Sequence, residues 1–123
     1  MDPFACVFLP MPYQEISVAE LQRKLASQAE GTQFVDVREP EELEQSRLDG
    51  FINLPLSHYQ EWSMRLGEIL DPQKETIVLC HHGMRSADMC SFLLRRGYEN
   101  VKNVQGGIHA YSLYVDPNVP RYM

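Results

Sequence analysis

Thr76-Ile77-Val78-Leu79-Cys80-His81-His82-Gly83-Met84-Arg85-Ser86 is the stretch on which the fold turns. Its first four residues form a short apolar, β-branched run, the signature of a buried strand. The run leads straight into Cys80 and then into a polar loop that contains glycine. A helix is predicted from about Arg85 to Arg96. Met89 and Leu93 share one face, as do Cys90 and Leu94, at i and i+4 spacing, with Asp88, Ser91 and Arg95 outside. Gly97 is a natural residue just past the helix end.

Working outward, the same alternation recurs. Upstream, Ser17-Val18-Ala19-Glu20 reads as a capping box for a helix carrying Val18, Leu21, Leu25 and Ala29, stopped near Gly31. Phe34 to Val37 reads as a strand. Pro40, Glu41 and Glu42 suit the start of a short helix through about Ser46. Asp49-Gly50 marks a turn, and Phe51 to Leu54 a second strand that ends at Pro55. Ser57 to Gln60 is expected to cap a helix with Trp62, Leu66, Ile69 and Leu70 inside, broken by Asp71-Pro72. Downstream, Val101 to Val104 is a last strand. Gly106-Gly107 opens a final helix to about Val115, and an irregular tail follows. Alternating strands and helices imply a parallel sheet covered on both faces. In such sheets sites form beyond the carboxyl ends of the strands, and Cys80 lies at such an end.

The chain has 123 residues, of which 44% are hydrophobic, and no internal linker. That fits one domain over residues 1–123, burying roughly two-thirds of the unfolded chain's surface. A formal net charge of -6 argues against a general nucleic-acid binder, while leaving room for a small pocket for an anion. No run approaches the roughly 18 apolar residues of a membrane span. Met1 to Tyr13 has no basic region ahead of an apolar stretch, so the expected compartment is the cytoplasm. Three cysteines without a CxxC pair indicate neither a disulfide framework nor a zinc site.

The chemistry is expected in the loop. A nucleophilic cysteine works as its thiolate. Cys80 precedes a helix N-terminus, where free N–H groups and the dipole favour negative charge. Successive loop N–H groups can form an anion-binding nest, and Gly83 lets the backbone turn. Arg85 adds a permanent charge with a planar fork of donors. From strand, loop and helix alone, a buried strand-end thiol without a role reads equally well for Cys80. Cys90 lies on the apolar helix stripe and reads as core. Cys6 has no pattern around it. His81 and His82 read mainly as loop residues that supply backbone N–H groups and line a pocket. His58 and His109 read as structural or solvent-facing.

At this point the chain resembles a single-domain rhodanese, of the thiosulfate sulfurtransferase-like family. Four stretches carry the resemblance. Phe34-Val35-Asp36-Val37-Arg38-Glu39 is similar to an apolar strand ending in Asp-x-Arg. Asp49-Gly50-Phe51-Ile52-Asn53-Leu54-Pro55 is similar to the family's Gly-x-Ile/Ala-Asn-Ile/Leu-Pro stretch. Ile77 to Ser86 resembles the active-site strand and its Cys-x-x-Gly-x-Arg-Ser loop. Asn103 to Ile108 resembles the Gly-Gly turn before the last helix. The match spans roughly residues 34–111, and what precedes fits the family's opening strand and helix. Two departures stand out. Ser46 to Phe51 replaces a common Gly-His-Ile-Pro-Gly-Ala, and Ala110-Tyr111 replaces Ala-Trp; both bear on the pocket rather than the fold.

The resemblance implies a rhodanese-like α/β fold with a five-stranded parallel sheet and helices on both faces. It implies a sulfurtransferase in which Cys80 accepts sulfane sulfur from thiosulfate or a persulfide and passes it, as a persulfide, to cyanide or a thiol. Cys80 and Arg85 would be catalytic, with His81, His82, Gly83, Met84 and Ser86 cradling the outer sulfur. Asp36 and Arg38 would support the loop, equally well as a structural ion pair. No metal or organic cofactor is implied. The partners would be a small sulfur donor and acceptor and a sulfur-relay protein. Two rivals remain. Cysteine phosphatases and some arsenate reductases share the strand–loop–helix, but with one residue more between cysteine and arginine. Here only His81 to Met84 intervene, a ring sized for one sulfur atom rather than a tetrahedral oxyanion. A non-catalytic regulatory module typically lacks the cysteine.

Overall fold

The computed structural model describes residues 13–27 and 31–122. Cys6 and Ala29 lie outside the described residues. The elements run β1 (Gln14–Ile16), α1 (Val18–Ser27), β2 (Thr32–Asp36), α2 (Pro40–Gln45), β3 (Ile52–Asn53), α3 (Tyr59–Trp62), α4 (Leu66–Ile69), β4 (Glu75–Leu79), α5 (Met84–Arg95), β5 (Val101–Val104) and α6 (Gly107–Tyr114). The five strands form one sheet in the order β1-β5-β4-β2-β3, and every pairing is parallel.

β4 is central, and its side chains alternate between two cores as the two-residue strand period requires. Val78, followed by Cys80, packs with Trp62, Leu66, Met89, Cys90 and Leu93 of α3, α4 and α5. Ile77 and Leu79 face Leu21 of α1 and Ile108 and Tyr111 of α6. Helices therefore cover both faces, as the alternation of elements implied. The capping box at α1 is present: Glu20 N–H donates to Ser17 Oγ at 3.1 Å, and Ser17 N–H to Glu20 Oε1 at 3.4 Å.

The helix expected over residues 57–70 is broken. A short 3₁₀ turn at Leu56–His58 precedes α3, and a second at Ser63–Arg65 separates α3 from α4. Tyr59, Trp62, Ser63 and Gly67 are poor helix formers, so tertiary packing decides the local geometry. Trp62 sets it: its indole N–H donates to Pro55 O at 2.8 Å, and its ring meets Tyr59 and Phe92 edge-on. Ser57 does not cap this segment but donates to the Glu39 carboxylate.

At the end of the sheet away from Cys80, Glu75 ties three elements together. Its carboxylate, on a residue 8% exposed, accepts from Lys24 Nζ at 2.8 Å, from Thr32 Oγ1 at 2.7 Å and from Lys102 Nζ. Burial alone would raise the Glu75 pKa. The bonds from Lys102, Lys24 and Thr32 outweigh it and bring the group down to about 2, against an ordinary 4.5. A depressed carboxyl pKa stabilises the fold fully above the unfolded value, and the contribution fades as pH falls from 4.5 toward 2. Glu75→Gln is expected to cost about 2 kcal/mol at neutral pH and to flatten this part of the acid unfolding profile. Denaturant midpoints measured from pH 7 to pH 2 check it; identical profiles for variant and parent would refute the assignment.

Candidate active site

The loop after β4 is shaped by what lies beneath it. Cys80 O accepts from Ile108 N–H at 2.9 Å, and His81 O accepts from His109 N–H at 3.1 Å. The first turn of α6 thus draws the loop carbonyls toward β5 and α6. Gly83 O is held the same way, by Asn103 Nδ2 at 3.0 Å. Gly83 N–H points at Cys80 Sγ, 3.0 Å away. The backbone does this at φ +98°, where only glycine is unstrained. Ser86 Oγ lies 3.2 Å from the same sulfur.

Gly83 and Ser86 therefore meet Cys80, which is 1% exposed, with Ser86 fully buried beside it. Met84 does not. It begins α5, one residue earlier than expected, and its side chain is 79% exposed. His82 sits at the exposed rim against His81, with ring centroids 4.0 Å apart. Of the two readings for His109, structural and solvent-facing, the structure favours the first. Its ring lies 4.9 Å from that of His82, and its Nδ1 is buried with no hydrogen-bond partner among the described residues. Burial, and then the neighbouring His82, hold the His81 imidazole below its ordinary pKa. Among the described residues, no three His, Cys, Asp or Glu side chains are placed to hold a metal ion.

Asp36 and Arg38 form a buried, bidentate ion pair. Arg38 Nε reaches Asp36 Oδ1 at 3.0 Å, and Arg38 Nη2 reaches Oδ2 at 2.8 Å. The pair connects to the loop through two residues that sequence reasoning did not single out for the site. Arg38 Nη1 donates to Tyr122 Oη at 2.9 Å, and Tyr122 donates to Glu42 Oε2 at 2.6 Å. Glu42 grips Arg85 with both oxygens, at 2.6 Å to Nη1 and 2.9 Å to Nη2. The Tyr122 ring stacks on His81, 4.0 Å between centroids and 8° from parallel. The hydrogen bonds from Arg85 bring the Glu42 carboxyl down to about 2, and pairing raises Arg85 further above its ordinary value. Burial, and then the bond to Glu42, push Tyr122 up to about 12, so it remains a phenol that can bridge Arg38 and Glu42.

Asn103 is a further residue missed in the sequence. Because its Nδ2 donates to Gly83 O, its Oδ1 faces Ser86 Oγ and accepts the hydroxyl proton. A signal existed for Glu42. It is the third residue of α2 in a box headed by Glu39, whose N–H donates to Glu42 Oε1 at 3.2 Å. No local signal marks Tyr122, which is 84 residues from Arg38 and 80 from Glu42.

This arrangement can hold one negatively charged sulfur in a small pre-formed pocket, with Gly83 N–H aimed at Cys80 Sγ and a closed ion-pair network alongside. Comparison with known proteins identifies the family. The family model for the rhodanese-like domain matches residues 17–113. The chain is 41% identical over 113 residues to the chloroplastic rhodanese-like/PpiC domain-containing protein 12 of Arabidopsis thaliana, covering 90% of this chain but only 38% of that protein. It is 31% identical over 105 residues to a sulfurtransferase of Allochromatium vinosum, covering 85% of this chain and 94% of that protein. The crystal structure of a rhodanese-related protein from Thermoplasma volcanium superposes with a TM-score of 0.68 at 33% identity, covering 84% of this chain and 94% of that one. The five-stranded order, the loop beyond β4 and the match over most of the chain agree, and the chain belongs to the rhodanese-like domain family.

Proposed function

We propose that this protein is a sulfurtransferase in which Cys80 carries sulfane sulfur as a persulfide between a donor and a thiophilic acceptor. The observation that carries the reading is the buried Cys80 Sγ, met by Gly83 N–H at 3.0 Å and lying 3.2 Å from Ser86 Oγ in a loop of four residues before Arg85. The Cys80 thiolate attacks the outer sulfur of thiosulfate, or of a persulfide. A sulfur–sulfur bond forms, the bond inside the donor breaks, and sulfite or the donor thiolate departs with the electron pair. A cyanide ion or a thiolate then attacks the outer sulfur and returns the pair to Cys80. This is covalent catalysis in two half-reactions. The chain's own groups suffice for both, and neither a metal nor an organic cofactor takes part.

Gly83 N–H stabilises the anionic sulfur without reorganising, while Ser86, its hydroxyl proton held by Asn103, closes the pocket beside it. His81, His82, Ser86 and the loop backbone line its path. Met84 and His82, exposed at the rim, are where a small acceptor or the protein of a sulfur relay arrives. Arg85 stands beside the loop paired with Glu42, while Asp36 and Arg38 brace the loop from behind. The test is intact-mass measurement after incubation with thiosulfate. One added sulfur, lost on treatment with cyanide and mapped to Cys80, supports the reading; an unmodified mass with every sulfane donor refutes it.

Cys90 provides the internal control. It is fully buried on α5, and burial pushes its thiol pKa upward, so it stays protonated. Cys90→Ala is expected to leave sulfur transfer unchanged and to cost on the order of 1 kcal/mol of stability. Persulfide found mainly on Cys90 would reassign the nucleophile.

A further inference from the structure

Both guanidiniums that adjoin the loop are already taken by carboxylates. Arg38 is spent on Asp36, and Arg85 on Glu42. The Glu42 grip is itself fixed from two sides. Tyr122 donates to Oε2 and is held by Arg38, while Glu39 N–H donates to Oε1. Glu42 is also shielded, its side chain 18% exposed against 38% for Arg85. The carboxylate is thus part of a built network rather than a chance surface contact. A donor arriving at Cys80 meets Arg85 as half of a neutral pair.

That arrangement discriminates between donors. Thiosulfate is a dianion and gains most from an unpaired guanidinium. It is also repelled by the Glu42 carboxylate that holds Arg85. A persulfide carries at most one negative charge on the sulfur it gives up and loses little. Resting on the sulfur-transfer reading, we infer that Glu42 is a specificity-determining residue. By neutralising Arg85 it biases the site away from dianionic donors and toward persulfides. The residues facing the pair support the inference. Tyr122 is a phenol fixed against Glu42, and His81 stacks on it. The remaining imidazoles beside His81 are those of His82 and His109.

The test measures charge recognition without turnover. Cys80→Ser protein is titrated with sodium thiosulfate by calorimetry at low and high salt, alone and with Glu42→Gln. Glutamine keeps one oxygen, which can still accept from Glu39 N–H, and its amide NH₂ then faces Tyr122 Oη, which can accept, so the fold is expected to be retained. Thiosulfate is expected to bind about fivefold more tightly to the Glu42→Gln variant at low salt, with less gain at high salt. Adding Arg85→Ala should abolish the gain, and Glu42→Asp, which keeps the charge, should bind as Cys80→Ser does. In the active protein, Glu42→Gln should raise kcat/KM for thiosulfate more than for methanethiosulfonate, a sulfane donor with one charge fewer.

Equal or weaker thiosulfate binding by a folded Glu42→Gln variant overturns the inference, as does a gain that survives loss of Arg85 or an absence of binding in every variant. If Glu42→Gln does not fold, Arg85→Ala in the Cys80→Ser background decides instead. A loss of affinity above about tenfold would show Arg85 free to bind the dianion, while a loss of twofold or less supports the neutral pair; a loss between these limits counts against it. Because these titrations need no persulfide, they separate failure of this inference from failure of the sulfur-transfer reading, which the mass measurement judges alone.

Discussion

Replacing Cys80 with serine is expected to lower thiosulfate:cyanide sulfurtransferase activity by a factor of about 10³ or more, the loss typical when a covalent nucleophile is removed. Oxygen in place of sulfur fits the same space. Gly83 N–H, 3.0 Å from the sulfur, and the Ser86 hydroxyl can both hydrogen-bond a serine oxygen. The loop therefore keeps its shape, and the thermal midpoint should move by only a few degrees. What disappears is the nucleophile. A serine hydroxyl stays protonated at neutral pH, and its oxygen cannot form the sulfur–sulfur bond of a persulfide. Steady-state assay and intact mass check both halves of this expectation. A variant that turns over at the parent rate would mean the nucleophile lies elsewhere, and one that unfolds would mean the pocket depends on the thiol itself.

Gly107→Ala is the second substitution with a large expected effect, and it acts from beneath the loop. Gly107 opens α6 at φ +64°, and a Cβ there would sit 2.4 Å from His81 O and 2.5 Å from Cys80 O. These are backbone atoms, so no side-chain rotation relieves the overlap. The two carbonyls are also the acceptors for His109 N–H and Ile108 N–H. Pushing the loop away breaks the bonds that aim its N–H groups inward. We expect a loss of about 3 kcal/mol or more from the clash and the left-handed strain together. In protein that remains folded, sulfur loading of Cys80 should fall by about 10²-fold, as for other small misplacements of a reacting group. Gly67→Ala is the control, since a Cβ there meets nothing within 4 Å and the residue lies in α4. Chemical unfolding and the rate of persulfide formation measured on both variants check this. Parent-like loading in Gly107→Ala would show that the loop does not depend on the α6 turn.

The two substitutions separate what is carried in the loop's residues from what is carried by its support. The loop itself was legible. An apolar β-branched run, a cysteine, a glycine and a helical pattern in sequence order dictate strand, turn and helix locally. The two-residue strand period puts Val78 and Cys80 on one face of the sheet, and the tertiary structure sets α3 to α5 against that face. The parallel sheet followed from alternation, the start of α1 from its capping box and the end of α5 from Gly97. Less was legible where local preference is weak. The segment 56–69 breaks into four short turns because Trp62 packing outweighs poor helix formers.

What the sequence by itself determined is the element order, the position of Cys80 at a strand end and the length of the loop. Each depends on residues within a few positions of one another. What only the tertiary structure decided is the surrounding network. Tyr122 reaches Arg38 and Glu42 from an irregular tail, Asn103 on β5 bonds Ser86 on α5 and Gly83 in the loop, and α6 donates to the loop carbonyls. These bonds join groups many residues apart, and nothing in local propensity or periodicity encodes them. They exist because the sheet order sets β5 beside β4 and the tail returns across the carboxyl ends of the strands. There a buried guanidinium, carboxylate or hydroxyl must find a partner or destabilise the fold.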